Sequence, residues 1–147
     1  MRQRFEVQYE LGTTPIEKVD IPTKSRDQMP PILKSLQHIF ITPELNEKIF
    51  SILEKKVTAH VNNRTGRPGM SLWEILVLAV IRLARDADYD QLQYMADTDS
   101  LLRSLLGVNK FGQSQRSYGL QTIKDNVRLV DAETINQINQ IVVAHGH

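Results

Sequence analysis

The stretch that decides the fold is residues 66–94, GRPGMSLWEILVLAVIRLARDADYDQLQY. A Gly/Pro turn with one arginine leads into a segment that is apolar almost all round, and a second short helical segment follows. Ser71 and Glu74 have the spacing of a capping box, a hydroxyl at the N-cap and a carboxylate three residues on, so a helix is predicted from Ser71. It is predicted to run to about Asp86. Apolar residues on every side leave no face for water, which is the pattern of the central helix of a bundle.

Beyond that segment, Tyr89–Ala96 and Ser100–Leu106 read as two short helices separated by Asp97-Thr98-Asp99, with Asp88 or Tyr89 opening the first and Gly107 placed as the stop of the second. Residues 109–119 form a polar loop with two glycines. A short helix is predicted around 120–128, and the last one is capped by Asp131 and carries Ile135, Ile138, Ile141 and Val142 on one face.

On the upstream side, NNRTGRPG (62–69) is a turn-rich loop that must break the chain between helices. Before it, Thr42-Pro43-Glu44 reads as N-cap, proline at N1 and an acid in the first turn, opening a helix through about His60. Its apolar face is Leu45, Ile49, Ile52 or Leu53, and Val57. Ile32, Leu33, Leu36, Ile39 and Phe40 fall at i, i+1, i+4, i+7 and i+8, an amphipathic stripe.

The first 28 residues differ. Phe5, Val7, Tyr9 and Leu11 alternate with polar residues as in a half-buried strand, Gly12-Thr13-Thr14-Pro15 interrupts, and Ile16, Val19 and Ile21 suit a second extended piece before a polar linker at 22–28. Two short strands are not stable alone, so this arm must lean on the helices or on a partner chain. The predicted fold is mainly α: a multi-helical bundle with a helix-turn-helix-like pair at 89–106, preceded by a short extended or β-hairpin arm. The organisation is an arm at 1–28 and a helical domain at 29–147.

Composition narrows the chemistry. At 147 residues the chain can bury one core, and 41% apolar with 24% charged residues fits an ordinary globular protein. With no cysteine, thiolate nucleophiles, disulfides and cysteine zinc sites are excluded. The N-terminus has no apolar run of the kind a signal peptide needs. The longest apolar stretch, 72–84, contains Glu74 and Arg82 and falls short of the roughly 20 residues a bilayer requires. The expectation is a cytoplasmic protein with no membrane and no small-molecule substrate.

The net charge of +1 hides an uneven distribution. Residues 86–99 hold five acids (Asp86, Asp88, Asp90, Asp97, Asp99) and no lysine or arginine. Residues 100–128 hold five bases (Arg103, Lys110, Arg116, Lys124, Arg128) against Asp125 alone. A phosphate backbone would be met by that second stretch or by the turn holding Arg64 and Arg67.

Each candidate site has a plainer competitor. In the 89–106 pair, the second helix offers only Arg103 and Ser104 as groove-facing polar groups among Leu101, Leu102, Leu105 and Leu106, a composition more typical of core; Arg103 suits a phosphate better than a base. The Gly66-Arg67-Pro68 tripeptide is slim and extended enough for a narrow A·T-rich minor groove, and serves equally as a structural turn into the Ser71 cap. Asp86, Asp88, Asp90 and Asp97 sit at positions 1, 3, 5 and 12 of a calcium-loop template. Gln91 stands where the loop needs glycine, and Asp97 where it needs a bidentate glutamate, so the acids read as helix-end and capping residues. His38, His60, His145 and His147 make no metal motif. No phosphate loop or nucleophile triad is visible, and no cofactor is expected in this chain.

The stretch TGRPGMSLWEILVLAVIRLARDADYDQLQYMADTDSLLRSLLGV resembles the N-terminal domain of DDE-type insertion-sequence transposases. The segments LGTTPIEKVDIPTKSRDQMPPILKSLQHIFITPELNEKIF and SYGLQTIKDNVRLVDAETINQINQIVV resemble one branch of the same family, so the match covers nearly the whole chain. Its specificity lies in the ordered combination of the Gly-Arg-Pro turn, the apolar helix, the Tyr-Asp-x-Leu helix and the Leu-Gly stop.

The resemblance implies an α-helical domain that binds the terminal inverted repeats of the element and helps assemble transposase subunits. Its partners would be double-stranded DNA and either itself or a full-length transposase, on the nucleoid of a bacterial-type cytoplasm. In the family, three acids of a downstream RNase H-like core hold two divalent metals that cleave and join strands. The first of those acids would lie beyond a helix like 131–145, so no catalytic residue carries over. The expectation is a truncated transposase, catalytically inert alone, with Arg64, Arg67, Arg103, Lys110, Arg116, Lys124 and Arg128 supplying phosphate contacts. The competing expectation is a protein–protein oligomerisation module that could inhibit full-length transposase by mixed assembly.

Overall fold

Seven helices account for most of what the computed structural model describes, namely residues 16, 21, 29–58, 70–106 and 118–146. They are α1 (Met29–Ile41), α2 (Pro43–Thr58), α3 (Leu72–Ala84), α4 (Tyr89–Thr98), α5 (Ser100–Leu106), α6 (Leu120–Val127) and α7 (Ala132–Gly146). The mainly α, multi-helical bundle expected from periodicity is therefore what forms. All of the N-terminal arm but Ile16 and Ile21, the 62–69 turn, the Gly107 stop and most of the 109–119 loop lie outside the described residues. Ile16 and Ile21 are the described points of the arm, and both are buried in the helical core, with the Gln37 amide of α1 donating to the Ile16 carbonyl at 3.0 Å.

The apolar helix sits at the centre. Every residue from Leu72 to Ala79 is buried, and each of the other six helices packs against α3. Its start is the capping box read from the sequence: Ser71 Oγ accepts from the Glu74 N–H at 3.2 Å, and the Glu74 carboxylate accepts from the Ser71 N–H at 3.0 Å. Trp73 fastens the centre to both sides. Its indole N–H donates to the Leu105 carbonyl of α5 at 2.9 Å, and its ring meets Phe40 of α1 edge-on at 5.2 Å between centroids.

The far end of α3 stops earlier than expected. Asp86 takes a positive φ of 49°, its N–H donates to the Leu83 carbonyl, and the Ala87 N–H reaches back to Arg82 at 3.0 Å. Those two bonds make a Schellman stop, with aspartate in the left-handed position that glycine usually fills. The Arg82 guanidinium then covers the Tyr89 ring at 4.5 Å, holding the first turn of α4 against the end of α3.

The α4–α5 pair also differs from expectation in its joint. Asp97 and Thr98 continue α4, so Asp99 alone separates the helices. It can do so because it serves both: its N–H closes α4 on the Met95 carbonyl, and its carboxylate accepts from the Leu102 N–H at 3.0 Å to open α5. At the other end, Thr42 caps α2 with Pro43 following it, as predicted, the Asn46 N–H donating to the Thr42 carbonyl at 2.9 Å. Among the described residues, no helix is long and apolar enough to cross a membrane.

Candidate nucleic-acid interface

Of the seven cations assigned to phosphate from the sequence, Arg64, Arg67, Lys110 and Arg116 lie outside the described residues. The three that remain part company. Arg103 is only 3% exposed, which corrects its assignment as a DNA contact. It belongs to α5, whose Leu102, Leu105 and Leu106 are buried with it, so the second helix of the expected helix-turn-helix pair is a core element.

The guanidinium of Arg103 is used internally. Its Nη1 donates to the Ala96 carbonyl of α4 at 2.8 Å and lies 3.8 Å from the Asp97 carboxylate. Asp97 also accepts the Tyr118 N–H at 3.0 Å, and the Tyr118 carbonyl accepts from the Gln93 amide at 2.9 Å. The Tyr118 hydroxyl donates to Glu74, whose other oxygen serves the α3 cap. One buried tyrosine thus ties the start of α6 to α3 and α4, and a buried polar network of this kind fixes one arrangement of the helices. Nothing in the spacing of Tyr118, Glu74 and Asp97 announced this, because the partners lie 44 and 21 residues apart in the chain.

The acids of 86–99 are mostly occupied too. Asp88 caps α4, accepting from the Gln91 N–H at 2.8 Å while the Gln91 side chain accepts from the Asp88 N–H. Asp86 stands at the Schellman stop, Asp97 accepts from Tyr118 and faces Arg103, and Asp99 makes the α4–α5 joint, so of the four template acids Asp86, Asp88 and Asp97 have structural roles and Asp90 lies in the first turn of α4. Among the described residues, no group of three or more His, Asp or Glu side chains could hold a metal ion.

Lys124 and Arg128 behave differently. They are a helical turn apart at the end of α6, Lys124 half-buried and Arg128 exposed. Three residues on, Asp131 caps α7: its carboxylate accepts the Thr134 N–H at 2.8 Å and the Thr134 hydroxyl at 2.6 Å. The Lys56 ammonium of α2 lies 3.5 Å from the same carboxylate. The Thr134 hydrogen bonds, helped by Lys56, hold the Asp131 carboxyl below the usual carboxylate range. Lys56 was not singled out by sequence, since only the fold brings the end of α2 to the start of α7.

Beyond that cap, α7 buries Thr134, Ile135 and Ile138, with Ile141 and Val142 half-buried, close to the predicted stripe. Glu133 before them and Asn136, Gln137, Asn139 and Gln140 between them are exposed. The surface from Lys124 to Gln140 therefore joins two cations of α6 to an amide-rich helix face, with Lys56 at their junction.

No protein-family profile matches the chain, and no solved structure matches it. The chain is similar to an ORC1-type DNA replication protein 2 of Sulfurisphaera tokodaii, with 22% identity over 129 residues. The aligned region covers 87% of this chain and 30% of that protein.

Proposed function

We propose that this chain is a DNA-binding and assembly domain of an insertion-sequence transposase, which recognises terminal inverted repeats and takes part in transposition without itself cutting DNA. The observation that carries the reading is the division of its cations. Arg103 is used inside the protein, while Lys124 and Arg128 stand a turn apart at the surface with Lys56 near the following helix start. Clustered surface cations are what a phosphate backbone requires.

The ordered motifs at 66–106 support the family, and their described part, 70–106, supplies in this fold the scaffold that holds α6 and α7. The similarity to a DNA replication protein supports a DNA-directed role in general and carries no weight for transposition. We assign no catalytic step to these residues and no resident metal. The partners in this reading are duplex DNA at the element ends and further transposase subunits, on the nucleoid.

The test uses labelled duplexes tiled from the DNA that flanks the reading frame, with fluorescence anisotropy at several salt concentrations. Wild-type protein is expected to prefer one duplex over a scrambled control. The set Arg116→Glu, Lys124→Glu and Arg128→Glu is expected to weaken binding and to reduce the salt slope by about two to three. Unchanged affinity and slope would remove these residues from the interface. A salt-insensitive dimer that ignores every duplex in sedimentation would favour the oligomerisation module instead.

A further inference from the structure

The outward face of α7 is unusual for a surface helix. On α2 the exposed positions include Glu44, Glu47, Lys48 and Lys55, the mixed charges that keep a helix solvated. On α7 the exposed positions include Asn136, Gln137, Asn139 and Gln140, with Asn139 at the edge of the face nearer the packed side, and Glu133 supplies the charge. Asparagine is a poorer helix former than lysine or glutamate, so local helix stability does not account for its place there. What an amide adds is a donor and an acceptor side by side.

That pair matches one edge in duplex DNA. Adenine presents an N7 acceptor and an N6 donor to the major groove, and asparagine or glutamine binds both at once; a carboxylate such as Glu133 accepts from cytosine N4. Residues 133–140 span about 10 Å along the helix, close to the rise of three base pairs. Val143 continues the face one turn on and is 59% exposed, an apolar group suited to a thymine methyl. At the N-terminal end of α7 stand Lys56, against the Asp131 cap, and the exposed Arg128 three residues before it, and phosphates bordering a groove need cations. The Asp131 carboxylate at that end already serves Thr134 and Lys56.

We propose that α7 is the base-reading helix of this protein, entering the major groove of A·T-containing duplex with Asn136, Gln137 and Gln140 as its adenine-reading side chains. This rests on the DNA-binding function proposed above and adds to it the groove, the residues and the class of base. Phosphate contact by α6 and base reading by α7 are then separate duties of adjoining elements.

The experiment compares wild-type protein with the triple variant Asn136→Ala, Gln137→Ala, Gln140→Ala. Both are titrated with the preferred flanking duplex, a scrambled duplex, and the preferred duplex carrying 7-deazaadenine, which lacks the N7 acceptor. Alanine favours helix at exposed positions, so the variant is expected to keep its circular dichroism and thermal midpoint. It should lose on the order of ten- to a hundred-fold in affinity for the preferred duplex, with scrambled-duplex affinity and salt slope kept. The 7-deaza substitution should weaken wild type and leave the variant unaffected. If wild type discriminates among duplexes and the variant discriminates as well, α7 is not the reader, while the proposed function stands. If wild type ranks all duplexes equally, both fall. Loss of a dimer in sedimentation with DNA preference intact would make the amide face a contact between copies and overturn the assignment.

Discussion

The α3–α5 region and the α6–α7 region use the same side-chain types to opposite ends. In the first, Glu74 and Arg103 are buried and bonded inside the protein, Glu74 to the Ser71 cap and Tyr118, and Arg103 to the Ala96 carbonyl of α4. In the second, Arg128, Glu133 and the amides of α7 face solvent while a plain aliphatic stripe does the packing. The difference teaches that the motif-rich stretch within 70–106 is scaffold. The residues free to meet a partner belong to a stretch with no memorable motif.

The sharpest break of that comparison is at Trp73. Trp73→Ala removes the contact to Phe40 and the hydrogen bond to Leu105 at the centre of the bundle, and should cost about 4 kcal/mol. Denaturant unfolding followed by circular dichroism would read it; a cost below about 1 kcal/mol would mean that the centre can collapse around the gap. Next come the two arginines, compared directly. Arg103→Ala leaves the Ala96 carbonyl and the Asp97 carboxylate short of a buried donor and should cost roughly 2–3 kcal/mol. Arg128→Ala, at the surface, should stay within about 0.5 kcal/mol and show its effect on DNA affinity instead. Equal stability losses would erase the distinction drawn between the two regions.

Most of the scaffold was legible because periodicity and capping are local. Ser71 with Glu74, Thr42 with Pro43, and Asp131 each declared a helix start within a few residues of sequence. The end of α3 was misread by two residues, since a Schellman stop normally advertises itself with glycine and here uses Asp86. The single-residue joint at Asp99 was missed because three polar residues in a row look like a turn, although Asp97 and Thr98 remain helical. The site was less legible for a different reason. An arginine in a helix of leucines gives no local sign of whether it points out or in; Arg103 turned inward because Ala96 and Asp97 wait there. Lys56 and Tyr118 depend on contacts between distant segments, which no local pattern contains.

Asp131 sharpens the comparison from the surface side. Its folded-state pKa is lowered, mainly by the Thr134 hydrogen bonds, so its contribution to stability is present above the unfolded carboxylate range, near about 4, and is lost as pH falls through the lower folded value. Asp131→Ala should cost about 1 kcal/mol at neutral pH as the cap of α7 is lost. Asp131→Asn keeps a capping oxygen without the charge. The stability gap between wild type and Asp131→Asn should therefore be largest at neutral pH and shrink in acid. A gap that stays constant from pH 6 to pH 2 would show that the charge contributes nothing at this cap.

The smallest effect is expected at Asp86, and it runs toward greater stability. An aspartate at φ 49° carries the strain of the left-handed region, and the carbonyl partners of its Schellman bonds are supplied by Arg82 and Leu83 whatever side chain it bears. Glycine there relieves the strain but gives the unfolded chain more freedom, so the two effects partly offset. Asp86→Gly should raise stability by about 0.5 kcal/mol, visible as a small rise in the denaturation midpoint with an unchanged slope. Because the change lies on the scaffold and removes an acid from a stretch that would repel phosphate, DNA affinity should hold or rise slightly. A fall in affinity would place Asp86 at the contact surface and move the interface toward the acidic end of α3.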